Sequence, residues 1–325
     1  MSISYRSAGP ADADTASRIL TTALTELAAR QGWPPFTAPA DHAAPALRHV
    51  AETDGRRFWL AVADGEPVAF GSGWQRGALG FCSGLFVLPE WQGKGVGRRL
   101  FELAMDGLPT AGGVAALTSS AANPVSNGLY ARHGIYPRVA LLYLTGPLAS
   151  FAASPATRRP AGGGQPGGGP SGGERPTGGL DAEPLATGHL AELAQIDDAV
   201  LGAERTTDHH WLLGRQENPG WLFRRRERAV GYAYLGGDGT EGANALGPVA
   251  TLRAADQTAV ISLALAELAR RGPTAATVAV PGPNIPAQRL LWQAGFAFTG
   301  AMGLLCSSRP FGRFDRYLLA GDCLM

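Results

Sequence analysis

Residues 92–98 read Gln-Gly-Lys-Gly-Val-Gly-Arg, with three glycines within five positions. They follow the apolar run that ends Val87-Leu88-Pro89 and precede a helical pattern. A strand that turns on glycines into a helix aims several backbone N–H groups at one point, at the positive end of the helix. That arrangement binds anions, and glycine lets a pyrophosphate approach the backbone closely. Two phosphate-binding patterns do not fit. The ATPase loop needs G-x-x-x-x-G-K-[ST], and no Ser or Thr follows Lys94. The dinucleotide fingerprint needs G-x-G-x-x-G, whereas Gly93, Gly95 and Gly97 are spaced G-x-G-x-G. A backbone anion cradle is left, with Lys94 and Arg98 as nearby cations.

Such a turn needs a strand before it and a helix behind it, and the flanking sequence supplies both. In the first half, ISYR predicts a strand and residues 11–30 a helix whose start is marked by Asp12 or Asp14. FWLAVA, EPVAFGSGW and ALGFCSGLFV predict three successive strands, the first two joined by the turn DGE. After the glycine turn come a helix over 96–108, the strand VAALTSS, a helix over 124–133 and the strand RVALLYLT. The order predicts an α/β protein of α+β type, a mixed sheet with helices on both faces.

The turn Gln92-Gly93-Lys94-Gly95-Val96-Gly97 after VLPEW resembles the signature motif of the GNAT superfamily, the acetyl-CoA-dependent N-acetyltransferases, [RQ]-x-x-G-x-[GA] behind a strand ending V-x-P. NPVSNGLYARHGI is similar to that family's later element, with Asn123, Tyr130 and Gly134 at its marked places. The resemblance implies that the backbone of Gly93 to Arg98 cradles the pyrophosphate of acetyl-CoA, with Gln92, Lys94 and Val96 in the same turn. It implies that Leu85, Phe86 and Val87 pair with the acetyl carbonyl and pantetheine arm, and that Asn123 contacts that arm. Tyr130 would be the general acid that protonates the departing thiolate, and a phenol of pKa about 10 is a suitable donor in a dry cleft. Acetyl-CoA would be the co-substrate, an amine the acceptor, and no metal is expected. No residue is marked as the general base. Glu66 sits in a predicted turn, His133 is expected to cap a helix end, and Cys82 and Ser83 lie on the central strand where they could face the cleft, so none is assigned as the base. Trp33, Phe36 and Trp74 could line an acceptor site, but buried packing is the expected role of each.

The second half repeats the layout: a strand LDAEPL, a helix GHLAELAQIDDAVLG, the strands WLFRR, AVGYAYL and ANALGPVATL, a helix over 256–271, the strand ATVAVPG, the helix IPAQRLLWQAG and the strand AFTGAMGLLCS. Asn123 to Gly134 and Asn284 to Gly295 share one spacing, which predicts a duplicated domain. The glycines are missing from this copy, since none lies between Pro248 and Arg271. Asp256 near the helix start would repel a phosphate, and Leu291 stands opposite Tyr130. A degenerate half is expected, available to shape the acceptor pocket, form a homodimer surface or stabilise its partner. Arg205, Asp208, His209, His210 and Trp211 cluster in GAERTTDHHWLLG; adjacent histidines lack the spacing of a zinc pair, so a structural polar cluster or an acceptor-site lining is expected.

Residues 161–180 hold ten glycines and three prolines and cannot offset backbone entropy by burying apolar surface. They divide the chain into residues 1–153, a flexible linker over 154–180 and residues 181–325. A chain of 325 residues suits two such domains. No apolar run reaches the ~20 residues of a membrane span, and the first residues lack a signal pattern, so neither membrane nor export is expected. Three scattered cysteines predict free thiols in a cytoplasm. A net charge of +1 argues against a nucleic-acid partner. Of 28 basic residues all but Lys94 are arginine, a bias of composition and no sign of phosphate binding in itself. The expectation is an N-acetyltransferase working in its first half, the other class being a non-catalytic acyl-CoA sensor or scaffold.

Overall fold

The computed structural model of the chain describes residues 2–33, 35–152, 179–240, 242 and 244–325. Most of the predicted linker, and with it any statement on its flexibility, lies outside the described residues. The first half runs β1 (Ile3–Ser7), α1 (Ala13–Gln31), α2 (Ala44–Asp54), β2 (Trp59–Ala63), β3 (Glu66–Arg76), β4 (Leu79–Val87), α3 (Val96–Ala104), β5 (Val114–Ser120), α4 (Pro124–Arg132), β6 (Tyr136–Pro147) and a short α5 (Ala149–Ala152). The second runs β7 (Asp181–Pro184), α6 (Leu190–Leu201), α7 (Thr206–Gly214), β8 (Gly220–Arg225), β9 (Arg228–Leu235), β10 (Leu246–Thr251), α8 (Gln257–Arg270), β11 (Ala275–Pro281), α9 (Ile285–Gln293), β12 (Ala297–Ser307) and β13 (Tyr317–Leu318). The predicted helix over 96–108 stops at Ala104, and α2, α7 and β13 add to the expected order.

Local rules account for the elements that frame the glycine turn. Helix α1 buries Ala13, Ala16, Ile19, Leu20, Ala23 and Leu27, a stripe at helical spacing, and stops at Gly32 in the left-handed region. Asp64 and Gly65 both take positive φ and close β2 onto β3 in a two-residue hairpin. Helices α1 and α2 cover one face of the first half's sheet, where Ile19, Leu47, Val50, Phe58, Phe70, Trp74 and Phe81 are buried together. Helices α3 and α4 cover the other face: Val96 and Leu100 pack on Ala61 and Ala69, and Phe101 and Tyr130 on Cys82 and Leu117.

The two halves do not separate along the chain. One eight-stranded sheet has the order β1-β2-β3-β4-β5-β12-β6-β11, and a five-stranded sheet has β13-β10-β9-β8-β7. Strand β12 of the second half pairs antiparallel with β5, Leu305 opposite Thr118, and β6 of the first half pairs with β11, Val278 opposite Leu144. Each half has given its sixth strand to the other, and the two exchanged strands pair with each other, Gly303 opposite Leu141. A cut between residues 153 and 181 would therefore take from each half a strand that its fifth strand needs. The core follows the sheet: Phe81, Ala116 and Trp74 are in one apolar cluster with Leu193, Ile196, Tyr232 and Leu324 of the second half. Among the described residues no helix is long and apolar enough to cross a membrane. All three cysteines are buried.

Candidate active site

Strands β4 and β5 run parallel and pair only from Leu79 opposite Val114 to Cys82 opposite Leu117. Beyond that point β5 stays with β12, while β4 stays with β3 as far as Val87 opposite Ala69. The strands part, and a wedge opens whose one wall is Ser83–Val87. Its backbone edge on that side has no strand beside it among the described residues. A bulge at Ser83, between the pairs Ser72–Gly84 and Gly73–Cys82, bends β4 where the parting begins. Leu85, Phe86 and Val87, the expected pantetheine-pairing residues, form this open edge and are partly exposed. Phe86 is held by stacking on Phe70, with ring centroids 5.6 Å apart.

The glycine turn follows within a few residues. Gly93 and Gly95 take φ of +74° and +81°, a conformation that strains any side chain, and a Cβ at either would meet nothing within 4 Å. Gly97 has no such requirement, and a Cβ there would touch only Val87 Cγ2, at 3.5 Å. Gly95 caps α3 without a side chain. The first helical bond runs from the Arg99 N–H to the Gly95 carbonyl, at 3.1 Å, so the N–H groups of Val96, Gly97 and Arg98 precede the ladder. Gln92 closes the turn by donating its Nε2 to the Val87 carbonyl at 3.0 Å. Lys94 lays its Nζ 4.5 Å from the centre of the Trp91 ring, and Arg98 is exposed with only a loose partner, Glu102, at 3.8 Å. The turn is thus an exposed ring of N–H donors with two cations on its rim.

At the apex of the wedge, on the α3–α4 face, sits Tyr130. It is 5% exposed, in a cluster with Cys82, Leu117, Cys306 and Phe101, whose ring centroid is 5.4 Å away. Burial, with the Cys82 and Cys306 sulfurs next to it, pushes its pKa well above the usual phenol value. The hydroxyl is therefore a protonated group throughout the physiological range. Asn123 is the N-cap of α4, its Oδ1 accepting the Ser126 N–H at 3.2 Å. That bond uses the side-chain oxygen and leaves the amide nitrogen as the group that can serve a ligand.

The second half contains the same wedge, filled. Strands β10 and β11 touch through one bridge, Ala245 to Thr277, and β13 pairs with β10 in the gap, Tyr317 opposite Ala250 and Leu318 opposite Val249. Asn284 caps α9 as Asn123 caps α4, accepting the Ala287 N–H at 3.2 Å, and its Nδ2 donates to the Tyr317 carbonyl at 3.2 Å. Leu291 is fully buried where the first half has Tyr130, and Asp256 at the start of α8 pairs with Arg225 at 2.7 Å.

The cluster in Gly202–Gly214 is a set of buried polar contacts, of which those of Asp208 join the halves. Asp208 on α7 accepts from Arg76 of β3 at 2.7 Å and lies 2.8 Å from His49 of α2. Arg205 pairs with Asp197 at 2.8 Å and donates to the Leu324 and Met325 carbonyls, and His209 reaches Asp197 and the Tyr234 hydroxyl, both at 3.0 Å. Trp211 stacks on His49, while His210 is exposed. The four residues considered as bases fare poorly. Glu66 is exposed at the far end of β3, and His133 binds the Leu129 carbonyl against Phe101. Burial pushes the Cys82 thiol up to about 12, and Ser83 is bonded to Ser72 at 2.9 Å. Trp74, considered for an acceptor wall, is buried, and its Nε1 donates to the Cys323 carbonyl at 2.8 Å. Residues 322–324, which carry no motif, thus return to the first half's wedge, a contact that no local pattern announces.

Residues 23–135 match the model of the acetyltransferase (GNAT) family. The aminoglycoside N(6')-acetyltransferase type 1 of Stenotrophomonas maltophilia is 35% identical over 77 residues, 21% of this chain and 48% of that protein. The chain thus spans about half the length of the curated relative it matches. Among solved structures, one from Pyrococcus horikoshii assigned as an acetyltransferase superposes with a TM-score of 0.69 at 13% identity, over 99% of this chain and 96% of that one. A tandem GNAT protein from the clavulanic acid biosynthesis pathway superposes with a TM-score of 0.56 at 14% identity, over 95% and 99%. At such identities these two speak for the fold. The family match covers the half with the open wedge and the glycine turn, and the structural matches cover both halves. Residues 23–135 are thus similar to the GNAT acetyltransferase family, and the chain as a whole shares the fold of a tandem GNAT protein.

Proposed function

We propose that the first half transfers an acetyl group from acetyl-CoA to a primary amine of a small molecule. The observation that carries this reading is the open wedge, with N–H donors at its mouth and a protonated phenol at its apex, beside a second wedge closed by the chain itself. In this reading the N–H groups of Gly93 to Arg98 hold the pyrophosphate, and the free edge of Leu85 to Val87 pairs with the pantetheine arm. Asn123 offers its amide nitrogen to that arm. The amine attacks the thioester carbonyl, a strand N–H near Val87 holds the oxyanion, and Tyr130 gives its proton to the departing thiolate. The aminoglycoside acetyltransferase relative makes polyamine sugars the first acceptors to try. We place this reaction in the cytoplasm, where acetyl-CoA is made available.

Calorimetry with acetyl-CoA is expected to give one site per chain, and two equivalent sites would refute a closed second half. A panel of amines, aminoglycosides first, is then followed by release of CoA thiol. Tyr130→Phe removes one hydroxyl and keeps the ring packing, so acetyl-CoA affinity stays and turnover falls by ~10²–10⁴-fold, or about 3–5 kcal/mol. Wild-type turnover in that variant removes Tyr130 from the mechanism. Tight acetyl-CoA binding without turnover of any amine favours an acyl-CoA sensor.

A further inference from the structure

The segment that plugs the second wedge does not end there. Beyond β13 it crosses to the first half and is clamped on the way. The Asp238 carboxylate accepts the Cys323 and Leu324 N–H groups, at 3.0 and 2.9 Å, and also the Thr240 N–H and hydroxyl. The Asp322 N–H donates to the Thr240 hydroxyl at 2.9 Å. A Cβ on Gly321 would lie 2.0 Å from the Asp238 carboxylate, so only glycine lets the clamp close. The clamped residues then meet the first half: the Cys323 carbonyl accepts from Trp74 of β3, the Asp322 carbonyl lies 3.5 Å from Thr118 Oγ1 of β5, and the Tyr143 hydroxyl of β6 donates to Asp322 Oδ1 at 3.1 Å.

Thr118 is the first residue of β5 beyond the last β4–β5 pair, Cys82–Leu117. Leu117 packs with Tyr130, and Ala116 packs with Trp74 and Phe81 on the opposite face, so alternation puts Thr118 on that opposite face. Asp322 and Tyr130 therefore flank the apex of one wedge from the two sides of the sheet. Asp322, Thr118 and Tyr143 each keep part of their surface open.

We propose that Asp322 is the carboxylate that receives the acceptor and takes the proton from its attacking nitrogen, so that the second half supplies a catalytic residue to the first half's site. This rests on the acetyl-transfer reading. The acceptor enters as a free amine, the C–N bond forms and the C–S bond breaks. The nitrogen proton passes to the Asp322 carboxylate, the Tyr130 proton passes to the CoA thiolate, and both side chains then re-equilibrate with water. A proton acceptor and a proton donor on opposite faces keep the two transfers apart.

The charge state of Asp322 suits the task. Burial and then the neighbouring Asp238 carboxylate raise its pKa to about 6, against the hydrogen bonds from Tyr143 and Thr118, which lower it. The polar groups that face it are Asp238 and Thr240 on their loop, Thr118 on β5 and Tyr143 on β6. It is ionised at neutral pH and exchanges its proton readily.

The test uses the full chain, acetyl-CoA and the best amine of the panel. Wild-type kcat/KM is expected to fall on the acid side with an apparent pKa near 6. Asp322→Asn is expected to keep acetyl-CoA affinity within about twofold, to lose ~100-fold or more in turnover, and to lose that limb. Its charge costs stability at neutral pH, because the folded pKa lies above that of an unfolded aspartate, so this variant melts no lower than wild type. Tyr143→Phe keeps the carboxylate and removes a bond to its charged form, so the acid limb moves to higher pH. An Asp322→Asn variant with wild-type turnover and an unchanged limb overturns the proposal and leaves acetyl transfer standing. A wild type that binds acetyl-CoA and turns over no amine takes both readings down, and the wild-type rate alone tells these two failures apart.

Discussion

In the first half β4 leaves β5 after Cys82, and among the described residues no strand lies along Ser83–Val87 on that side. In the second half β10 leaves β11 at Ala245, and Tyr317–Leu318 has entered the gap as a strand of the chain itself. Both wedges expose strand edges, and an exposed edge must be met by water, a ligand or protein. The first leaves its edge without a strand beside it among the described residues. The second satisfies it internally, and Asn284, where Asn123 has a free amide, spends its own on the Tyr317 carbonyl. Loss of the glycines alone would leave an empty site, whereas occupation by Tyr317–Leu318 makes a closed one. Closure also fixes the segment that carries Asp322.

The comparison can be broken most sharply at Gly97. A side chain fits there, meeting only Val87 at 3.5 Å, so Gly97→Asp is expected to fold. Its carboxylate would occupy the anion cradle and cost ~100-fold or more in acetyl-CoA affinity by calorimetry. Unchanged affinity in the folded variant would mean that the turn serves chain geometry only.

Leu318→Ala probes the plug. Leu318 is fully buried, so truncation is expected to lower the unfolding free energy by about 2–4 kcal/mol in denaturant titration. Stoichiometry stays at one acetyl-CoA per chain, because the second half also lacks a glycine turn; a second site would show that binding needs no such turn.

Acid should loosen the second half through Asp197. Burial works to raise its pKa, but Arg205 and His209 overcome that and hold it at about 2, below the ordinary 3.8. A lowered folded pKa stabilises above the unfolded value, and this contribution is lost as pH falls from about 4 to 2, on the order of 2 kcal/mol. Asp197→Asn, less stable at every pH, is expected to lack that part of the slope in unfolding measured against pH.

The smallest difference separates the two caps. Asn123→Ala removes one capping bond and is expected to cost about 1 kcal/mol. Asn284 is fully buried and also bonds Tyr317 and Gln257, so Asn284→Ala is expected to cost about 2 kcal/mol by thermal unfolding. Equal losses would mean that the closed wedge adds nothing to the cap.

Much of this was legible where the signal is local. The glycine turn, the helix behind it and the Asn-to-Gly spacing of both halves depend on residues within a dozen positions of each other. Helix α2 was legible in principle, since Ala43, Ala46, Leu47, Val50 and Ala51 are buried at helical spacing, but the sequence reading places no element between the first helix and FWLAVA. The strand exchange was not. β6 and β12 are both apolar and long, and nothing in either pattern says whether its neighbour is the fifth strand of its own half or of the other. Asp322 was invisible for the same reason. RYLLAGDCLM holds one carboxylate and no motif, and its position depends on Asp238, Thr118 and Tyr143, which lie far from it in sequence.

The exchange of sixth strands also sets an order of events during synthesis. Strand β5 cannot gain its neighbour β12 until Ser307 has left the ribosome, long after Ser120 has done so. At ordinary elongation rates of about 5–20 residues per second, that delay is roughly ten to forty seconds. Over this interval Leu117 and Ala115 sit on an open apolar edge, which invites pairing with another nascent chain. The same holds for β6, which is complete early and waits for β11 and β12. The nascent first half thus carries an unpaired strand edge until its second half arrives, and two such chains present matching edges to each other.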